Sequence, residues 1–296
     1  MYKEFYRLRE KPFSKTPDPR FLYQSPAHAE ALARLLHAVE EQDFVLLTGE
    51  IGSGKTMLSR AFIDMLDESY HPLLIINSRL SPSQLLRTVA LRLGMEEVSR
   101  YRHDLLEAIN AKLYELYEAG KHPVIIIDEA QLIPGKATFE ELRLLTNFQL
   151  DDRNLLALVL IGQTELRERL NKRPYRALRQ RIGMHFHLGP LNAEEVAAYV
   201  QHRLAIAGRT EPLFNEQSLA LLFEYSEGIP RRINTIAGNA LVEGFGRSAE
   251  IIGPEIIESV VMDGNNGGRR TGDEKAELKS RPSSGQARQN DVLHAA

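Results

Sequence analysis

Apolar residues follow two alternating patterns along most of the chain. Short, nearly continuous apolar runs are typical of strands buried on both faces; they lie at 44–48, 72–76, 124–127, 155–161 and 185–188. Between them, apolar positions spaced three and four residues apart predict helices; these lie at 28–41, 81–93, 104–118 and 139–148. The alternation predicts an α/β fold in which a parallel five-stranded sheet lies between layers of helices.

The pattern changes after residue 190. Helical segments follow without an intervening strand, at 194–205, 216–225, 231–244 and 254–262. Asn192 and Glu195 have the spacing of a helix-capping pair at the start of this region. The stretch 263–296 is polar, with few large apolar residues, which predicts disorder. We expect a sheet domain over 1–190, a small all-helical lid domain over 191–262 and a disordered tail over 263–296.

Composition excludes several classes of protein. The 296 residues contain no cysteine, so the chain has no disulfide framework, thiolate metal site or cysteine nucleophile. The formal charge of −3 argues against coating nucleic acid by bulk electrostatics, although a local basic surface is compatible with it. No apolar run approaches 18 residues, and the first residues do not resemble a signal peptide. The expected location is therefore the cytoplasm.

A glycine-rich segment after the first strand carries the strongest chemical signal. Residues 49–56 match the pattern G-x-x-x-x-G-K-[ST] between a predicted strand and a predicted helix. In such a loop the backbone N–H groups and the helix N-terminus bind phosphates, while Lys55 reaches the β/γ-phosphates and Thr56 binds Mg²⁺. A plain glycine-rich turn is the alternative. The predicted nucleotide-binding residues here are Gly49, Glu50, Ile51, Gly52, Ser53, Gly54, Lys55, Thr56 and Met57.

Two acidic residues follow the apolar run 124–127. Asp128 is expected at the carboxyl end of a central strand, where parallel sheets collect ligands, and can hold Mg²⁺. Glu129 can orient the attacking water and accept its proton. The alternative is a strand that ends in a solvated acidic turn. The loop some 70 residues earlier favours the catalytic interpretation, with ATP and Mg²⁺ as the cofactors.

Six further segments extend the pattern, at 8–13, 17–23, 128–131, 161–166, 178–182 and 228–234. With these motifs, residues 2–262 resemble the AAA+ P-loop ATPases, and more closely the ExeA/GspA-type ATPases of general secretion. The resemblance implies ATP hydrolysis in an oligomer, either a ring or a filament, whose active sites are shared between subunits.

The resemblance also implies roles for individual residues. Either Gln163 or Thr164 occupies the sensor 1 position beside the attacking water or the γ-phosphate. Arg181 resembles the arginine finger that reaches a neighbouring subunit, with Arg179 and then Arg176 as alternatives. A solvated basic helix face is the competing interpretation, because the same stretch also contains Arg167, Arg169, Lys172 and Arg173.

The resemblance also implies that the lid and the N-terminal lead segment, which precedes Pro26, line the adenine pocket. Arg231 matches the sensor 2 arginine at the start of a lid helix, where Pro230 suits the first turn. Ile229 and Pro230 would cover one side of the adenine. Phe13 either lines the adenine pocket or is a buried aromatic residue that anchors the N-terminal segment to a core.

Secretion ATPases of this type usually continue into a transmembrane helix and a periplasmic peptidoglycan-binding domain, and neither pattern occurs in this sequence. We therefore expect a cytoplasmic ATPase that drives assembly or remodelling of a secretion, pilus or polysaccharide-export complex. It would be soluble or peripheral at the inner membrane through a partner. The alternative is an ATP-gated oligomer that binds DNA, similar to TnsC/TniB-type transposition regulators.

Overall fold

The structure is a computed structural model that describes residues 1–14, 16, 18–151 and 153–264. Its five strands are β1 (Phe44–Gly49), β2 (Tyr70–Ile75), β3 (His122–Ile127), β4 (Ala157–Gly162) and β5 (Met184–Leu188). Its helices begin with α1 (Tyr2–Phe5), α2 (Pro26–Glu40), α3 (Lys55–Met65), α4 (Pro82–Arg92), α5 (Arg102–Glu118) and α6 (Lys136–Leu145). They continue with α7 (Thr164–Leu170), α8 (Arg176–Arg179), α9 (Ala193–Ile206), α10 (Glu216–Ser226), α11 (Pro230–Gly246) and α12, over 254–264.

All neighbouring strands pair in parallel, in the order β2-β3-β4-β1-β5. This confirms the predicted five-stranded parallel sheet between helices. The predicted strand at 155–161 starts two residues late, because the Leu155 amide bonds the Phe148 carbonyl instead of joining the sheet. The order places β1 and β3 on either side of β4, so the ends of β1 and β3 meet at one edge.

Each face of the sheet has its own apolar layer. On one face, side chains of α4, α5 and α6 pack against alternate residues of β1, β3 and β4. On the other, α2 and α3 cover the remaining residues of the same strands. Every residue of β1 and β4 is buried, as expected for central strands covered on both faces.

The lid consists of α9–α12. The predicted capping pair is present at its start, because the Asn192 side chain accepts from the Glu195 amide and Glu195 accepts from the Asn192 amide. The lid core also includes Tyr6, Leu8, Phe13 and Phe21 of the lead segment. The Tyr6 hydroxyl donates to the Ala249 carbonyl at 3.0 Å.

The lead segment therefore packs in the core of the lid, whereas the predicted domain boundaries include it in the sheet domain over 1–190. Its irregular spacing of aromatic residues did not indicate which core would bury them. Of the predicted tail 263–296, residues 265–296 lie outside the described part of the chain. None of the helices that the structure describes is long and apolar enough to cross a membrane.

Candidate active site

The loop between β1 and α3 has the backbone needed to enclose phosphate. Gly54 is the N-cap of α3 with φ +103°, a conformation that side chains other than glycine rarely adopt. The first amides of this 11-residue helix have no partner within the helix, and Gly54, Lys55 and Thr56 at its start line the cleft. The Ser53 hydroxyl is buried and has no hydrogen-bond partner among the described residues. An anion at this point would therefore find donors already in place.

Lys55 lies under this loop, only 6% exposed. Its ammonium group donates to the carbonyl oxygens of Gly49 and Glu50, each at 2.8 Å. Burial lowers the pKa of Lys55 from its ordinary value, while the nearby Glu129 and Asp128 oppose that shift. Because only neutral oxygens bond this desolvated cation, a phosphate oxygen would be a better partner than either carbonyl.

Thr56 and Asp128 meet at the ends of neighbouring elements. The Thr56 hydroxyl donates to Asp128 Oδ2 at 3.1 Å, and the Glu129 amide donates to Asp128 Oδ1 at 2.8 Å. Burial raises the pKa of Asp128. A hydroxyl and a carboxylate are the hard oxygen ligands that Mg²⁺ accepts together with waters and substrate phosphates. The donor set therefore fits Mg²⁺, and no larger ligand cluster exists among the described residues.

Glu129 lies next to Asp128 in a left-handed conformation, with φ +53°. Its Oε2 atom accepts from Gln131 Nε2 at 2.5 Å and from Gln163 Nε2 at 3.2 Å. The Gln131 side-chain oxygen also accepts a hydrogen bond from the backbone amide of Gln163, at 3.1 Å. Two side-chain amides therefore hold one carboxylate oxygen of Glu129 and leave the other available to a water. Gln131 belongs to the motif segment 128–131, but the sequence alone does not indicate its contact with Glu129.

The two sensor 1 candidates point to different partners. Gln163 contacts Glu129 and lines the cleft. Thr164 instead donates to Glu50 Oε1 at 2.9 Å. The geometry favours Gln163 for this role, because it is the one in contact with Glu129.

A cleft of about 330 Å³ runs between the phosphate loop, the lead segment and the lid. Pro230 and Arg231 line it from the start of α11, and the Arg231 amide donates to the Gly52 carbonyl at 3.2 Å. Ile51, Met57, Glu129 and Gln163 line it as well. The residues that sequence reasoning missed are Ser14, Thr16, Asp18, Tyr199, Arg203 and Asn234.

Phe13 is placed elsewhere. It is buried in the lid core and packs edge-on against Phe214, with ring centroids 6.0 Å apart. It is not among the residues that line the cleft. These contacts fit the anchoring alternative rather than contact with the base. Ile229 is buried, and its side chain lies close to Gly52.

The three candidate finger residues lie outside their own cleft. Arg176, Arg179 and Arg181 are all exposed. Arg179 donates to Asn171 Oδ1 at 3.1 Å, and Arg181 donates to Asn147 Oδ1 at 2.6 Å. None of them lines the cleft.

The competing prediction of a solvated basic face does not hold for Arg169. This residue is half-buried and donates to the Ile133 carbonyl at 2.5 Å. Its guanidinium also lies over the rings of Phe139 and Tyr175. The long stem and the flat head pack well against these rings, so Arg169 is a structural cation. Arg167, Lys172 and Arg173 are exposed.

Most of the chain is similar to a known protein, and part of it matches a family model. The model of the family described as "AAA domain" matches residues 37–170. The General secretion pathway protein A of Aeromonas hydrophila is 41% identical over 256 residues, which cover 85% of this chain and 46% of that protein. The chain therefore spans about half the length of this curated relative.

Solved structures show the same fold. The Aeropyrum pernix ORC2 protein matches with a TM-score of 0.64 at 18% identity, covering 86% of this chain and 71% of that one. The Thermotoga maritima RuvB Holliday junction branch migration motor matches with a TM-score of 0.53 at 21% identity, covering 79% and 67%. Together with the family match over residues 37–170, this shared fold identifies an AAA domain in the chain.

Proposed function

We propose that the chain hydrolyses ATP with the help of Mg²⁺, using the site between β1, β3 and the lid. The observation that carries this proposal is the cluster of Lys55, Thr56, Asp128 and Glu129. It combines a buried cation, two metal-ligand oxygens 3.1 Å apart and a positioned carboxylate. The sheet brings these groups together from chain positions more than 70 residues apart.

Each residue then has a task. The loop amides and Lys55 hold the β- and γ-phosphates. Thr56 and Asp128 would hold Mg²⁺, which neutralises charge on the phosphate oxygens when bound. Glu129 orients a water and accepts its proton, while Gln163 holds Glu129 and Arg231 contacts the phosphates from the lid.

The substitution Glu129→Gln tests the catalytic step. It removes the base while keeping a side chain of the same shape, so ATP should still bind and the hydrolysis rate should fall by about 10²-fold or more. Glu118→Gln, an exposed residue at the end of α5, is the matched control. Turnover near that of the control would refute the assignment of Glu129.

We also propose that the site is completed by a neighbouring subunit. The exposure of Arg181, Arg179 and Arg176 outside their own cleft supports this, since a guanidinium in trans can stabilise charge on the transferred phosphoryl group. Arg181→Ala and Lys55→Ala should each be inactive alone. Mixed together, they should regain activity, because some interfaces then pair an intact loop with an intact arginine. No rescue at any ratio would place the whole site within one chain.

The similarity to General secretion pathway protein A supports a partner in secretion, with pilus or polysaccharide-export complexes as related settings. In this proposal, ATP-driven oligomerisation assembles or remodels that partner. A membrane-bound partner would hold the chain peripherally at the inner membrane. Co-purification with membrane fractions that depends on ATP tests this arrangement.

A second candidate function is an ATP-gated oligomer on DNA. Arg167, Arg173 and Arg176 are exposed, and none has a carboxylate partner in the described part of the chain. RuvB, which shares the fold, is a branch migration motor for Holliday junctions. Anisotropy of a labelled duplex, with and without ATP, should show binding that weakens steeply with salt. No binding at low salt would eliminate this candidate.

A further inference from the structure

The lid side of the cleft contains a chain of polar side chains. Tyr199 and Arg203 lie one turn apart on α9, and Asn234 lies on α11. Arg203 is 6% exposed, and its guanidinium lies over the Phe21 ring, 4.8 Å from the centroid. It donates through Nε to the Pro12 carbonyl at 2.5 Å and through Nη1 to the Tyr199 hydroxyl at 2.8 Å. The cation is thus fixed between the lead segment and the lid.

Arg203 determines the direction of each hydrogen bond in this network of polar side chains. A guanidinium can only donate, so the Tyr199 oxygen must accept from it and its own proton is free for another partner. That partner is Asn234 Oδ1, at 2.9 Å. Burial raises the pKa of Tyr199, so the hydroxyl keeps this proton at neutral pH.

Asn234 therefore has a defined orientation. Because its oxygen accepts from Tyr199, its Nδ2 group presents two N–H donors in other directions. The structure gives this nitrogen no hydrogen bond to any described residue, and Asn234 lines the cleft. The network thus supplies the cleft with an oriented donor.

This donor lies about one turn after Arg231 on α11. Arg231 and Asn234 are three residues apart, so they share one face of α11. The bond from the Arg231 amide to the Gly52 carbonyl holds that face against the phosphate loop. Ser14, Thr16 and Asp18 of the lead segment line the same cleft. A nucleotide with its phosphates on the loop would extend its nucleoside between these walls.

We propose that Asn234 donates a hydrogen bond to the nucleoside half of the nucleotide, and that Tyr199 and Arg203 orient it. The acceptor is a purine ring nitrogen or a ribose oxygen. This inference rests on the proposed function. It adds a specificity residue to the nucleotide site and makes Tyr199 and Arg203 positioning residues.

The test compares three competitors against a fluorescent ADP analogue: ADP, ribose 5-diphosphate and pyrophosphate. Asn234→Ala should raise the Kd for ADP about tenfold, the effect expected from the loss of one hydrogen bond. The Kd for pyrophosphate should stay unchanged. Ribose 5-diphosphate separates the two acceptors, since its Kd rises with that of ADP only if the acceptor is on the ribose. Asn239→Ala, an exposed asparagine on the same helix, is the control.

The orienting role is tested by Tyr199→Phe. Alone, it should raise the Kd for ADP about threefold, because the amide remains but is free to turn. In the Asn234→Ala background it should add nothing, so a further loss there would refute the relay. Equal losses for ADP and pyrophosphate in Asn234→Ala, or no loss for either, would overturn the inference. Failure of the unaltered chain to bind ADP at all would instead refute the proposed function.

Discussion

The contact between the phosphate loop and the lid predicts an unusual sensitivity at Gly52. This residue has φ +86°, and a Cβ atom added to it would lie 2.5 Å from the Cβ of Arg231. Gly94 offers a matched position, because its φ is +84° and an added Cβ would meet nothing within 4 Å. The two glycines thus have nearly the same positive φ but different surroundings.

The magnitudes follow from this difference. A non-glycine residue in the left-handed region costs about 1–2 kcal/mol, which both Gly52→Ala and Gly94→Ala should lose. Overpacking adds about 1–3 kcal/mol, and only Gly52→Ala should lose that as well. The crowding atom is the first carbon of the Arg231 side chain, so a rotamer change alone cannot relieve it. The start of α11 must shift.

Urea denaturation of both variants measures the free energy of unfolding, and ADP binding measures the effect on the site. Gly52→Ala should be less stable than Gly94→Ala by at least about 1 kcal/mol and should bind ADP more weakly. Equal stability of the two variants would show that the lid moves away from the loop without cost. The close contact would then not hold the cleft together.

Three further outcomes concern single side chains. Gln131→Ala should lower kcat about tenfold, as expected for one lost hydrogen bond to Glu129, with KM nearly unchanged because Gln131 does not line the cleft; a change confined to KM would contradict this. Gln163→Leu should lower kcat by at least about tenfold while Thr164→Val stays near the unaltered chain, and the reverse order would move the sensor role to Thr164. Burial lowers the pKa of His28, so below about pH 6.5 the unfolded chain binds a proton that the folded chain does not. The free energy of unfolding therefore decreases as the pH is lowered, by up to about 1.4 kcal/mol per pH unit. His28→Gln should flatten that decline in urea denaturation from pH 7 to 5, and equal slopes would exclude His28 as its source.

The sheet and the phosphate loop could be predicted because local patterns determine them. Continuous apolar runs identify the strands, and the loop motif carries its own backbone geometry. The meeting of Thr56 and Asp128 followed from the same patterns, because ligands collect where parallel strands end. The capping pair of Asn192 and Glu195 at the start of the lid could also be predicted from the sequence.

The lid side of the site could not be predicted in this way. In the sequence, Tyr199 and Arg203 look like an apolar and a polar position of an ordinary amphipathic helix. Only the folded structure brings Arg203 to Pro12 and Tyr199 to Asn234. The sequence suggests that Arg169 is one of several exposed cations, because no local pattern indicates that it packs against the rings of Phe139 and Tyr175. These roles depend on contacts between residues far apart in the chain, which no local pattern reports.

The burial of the lead segment in the lid core has a consequence for synthesis of the chain. Residues 2–21 are made roughly 240 residues before the lid core at 191–260 is complete, an interval of roughly 10–50 s at common translation rates. The sheet domain can fold during that time, but Tyr6, Leu8, Phe13 and Phe21 have no partners yet. Four large apolar side chains therefore remain exposed on the nascent chain until its last helices emerge, which makes this segment a natural point of contact for a chaperone.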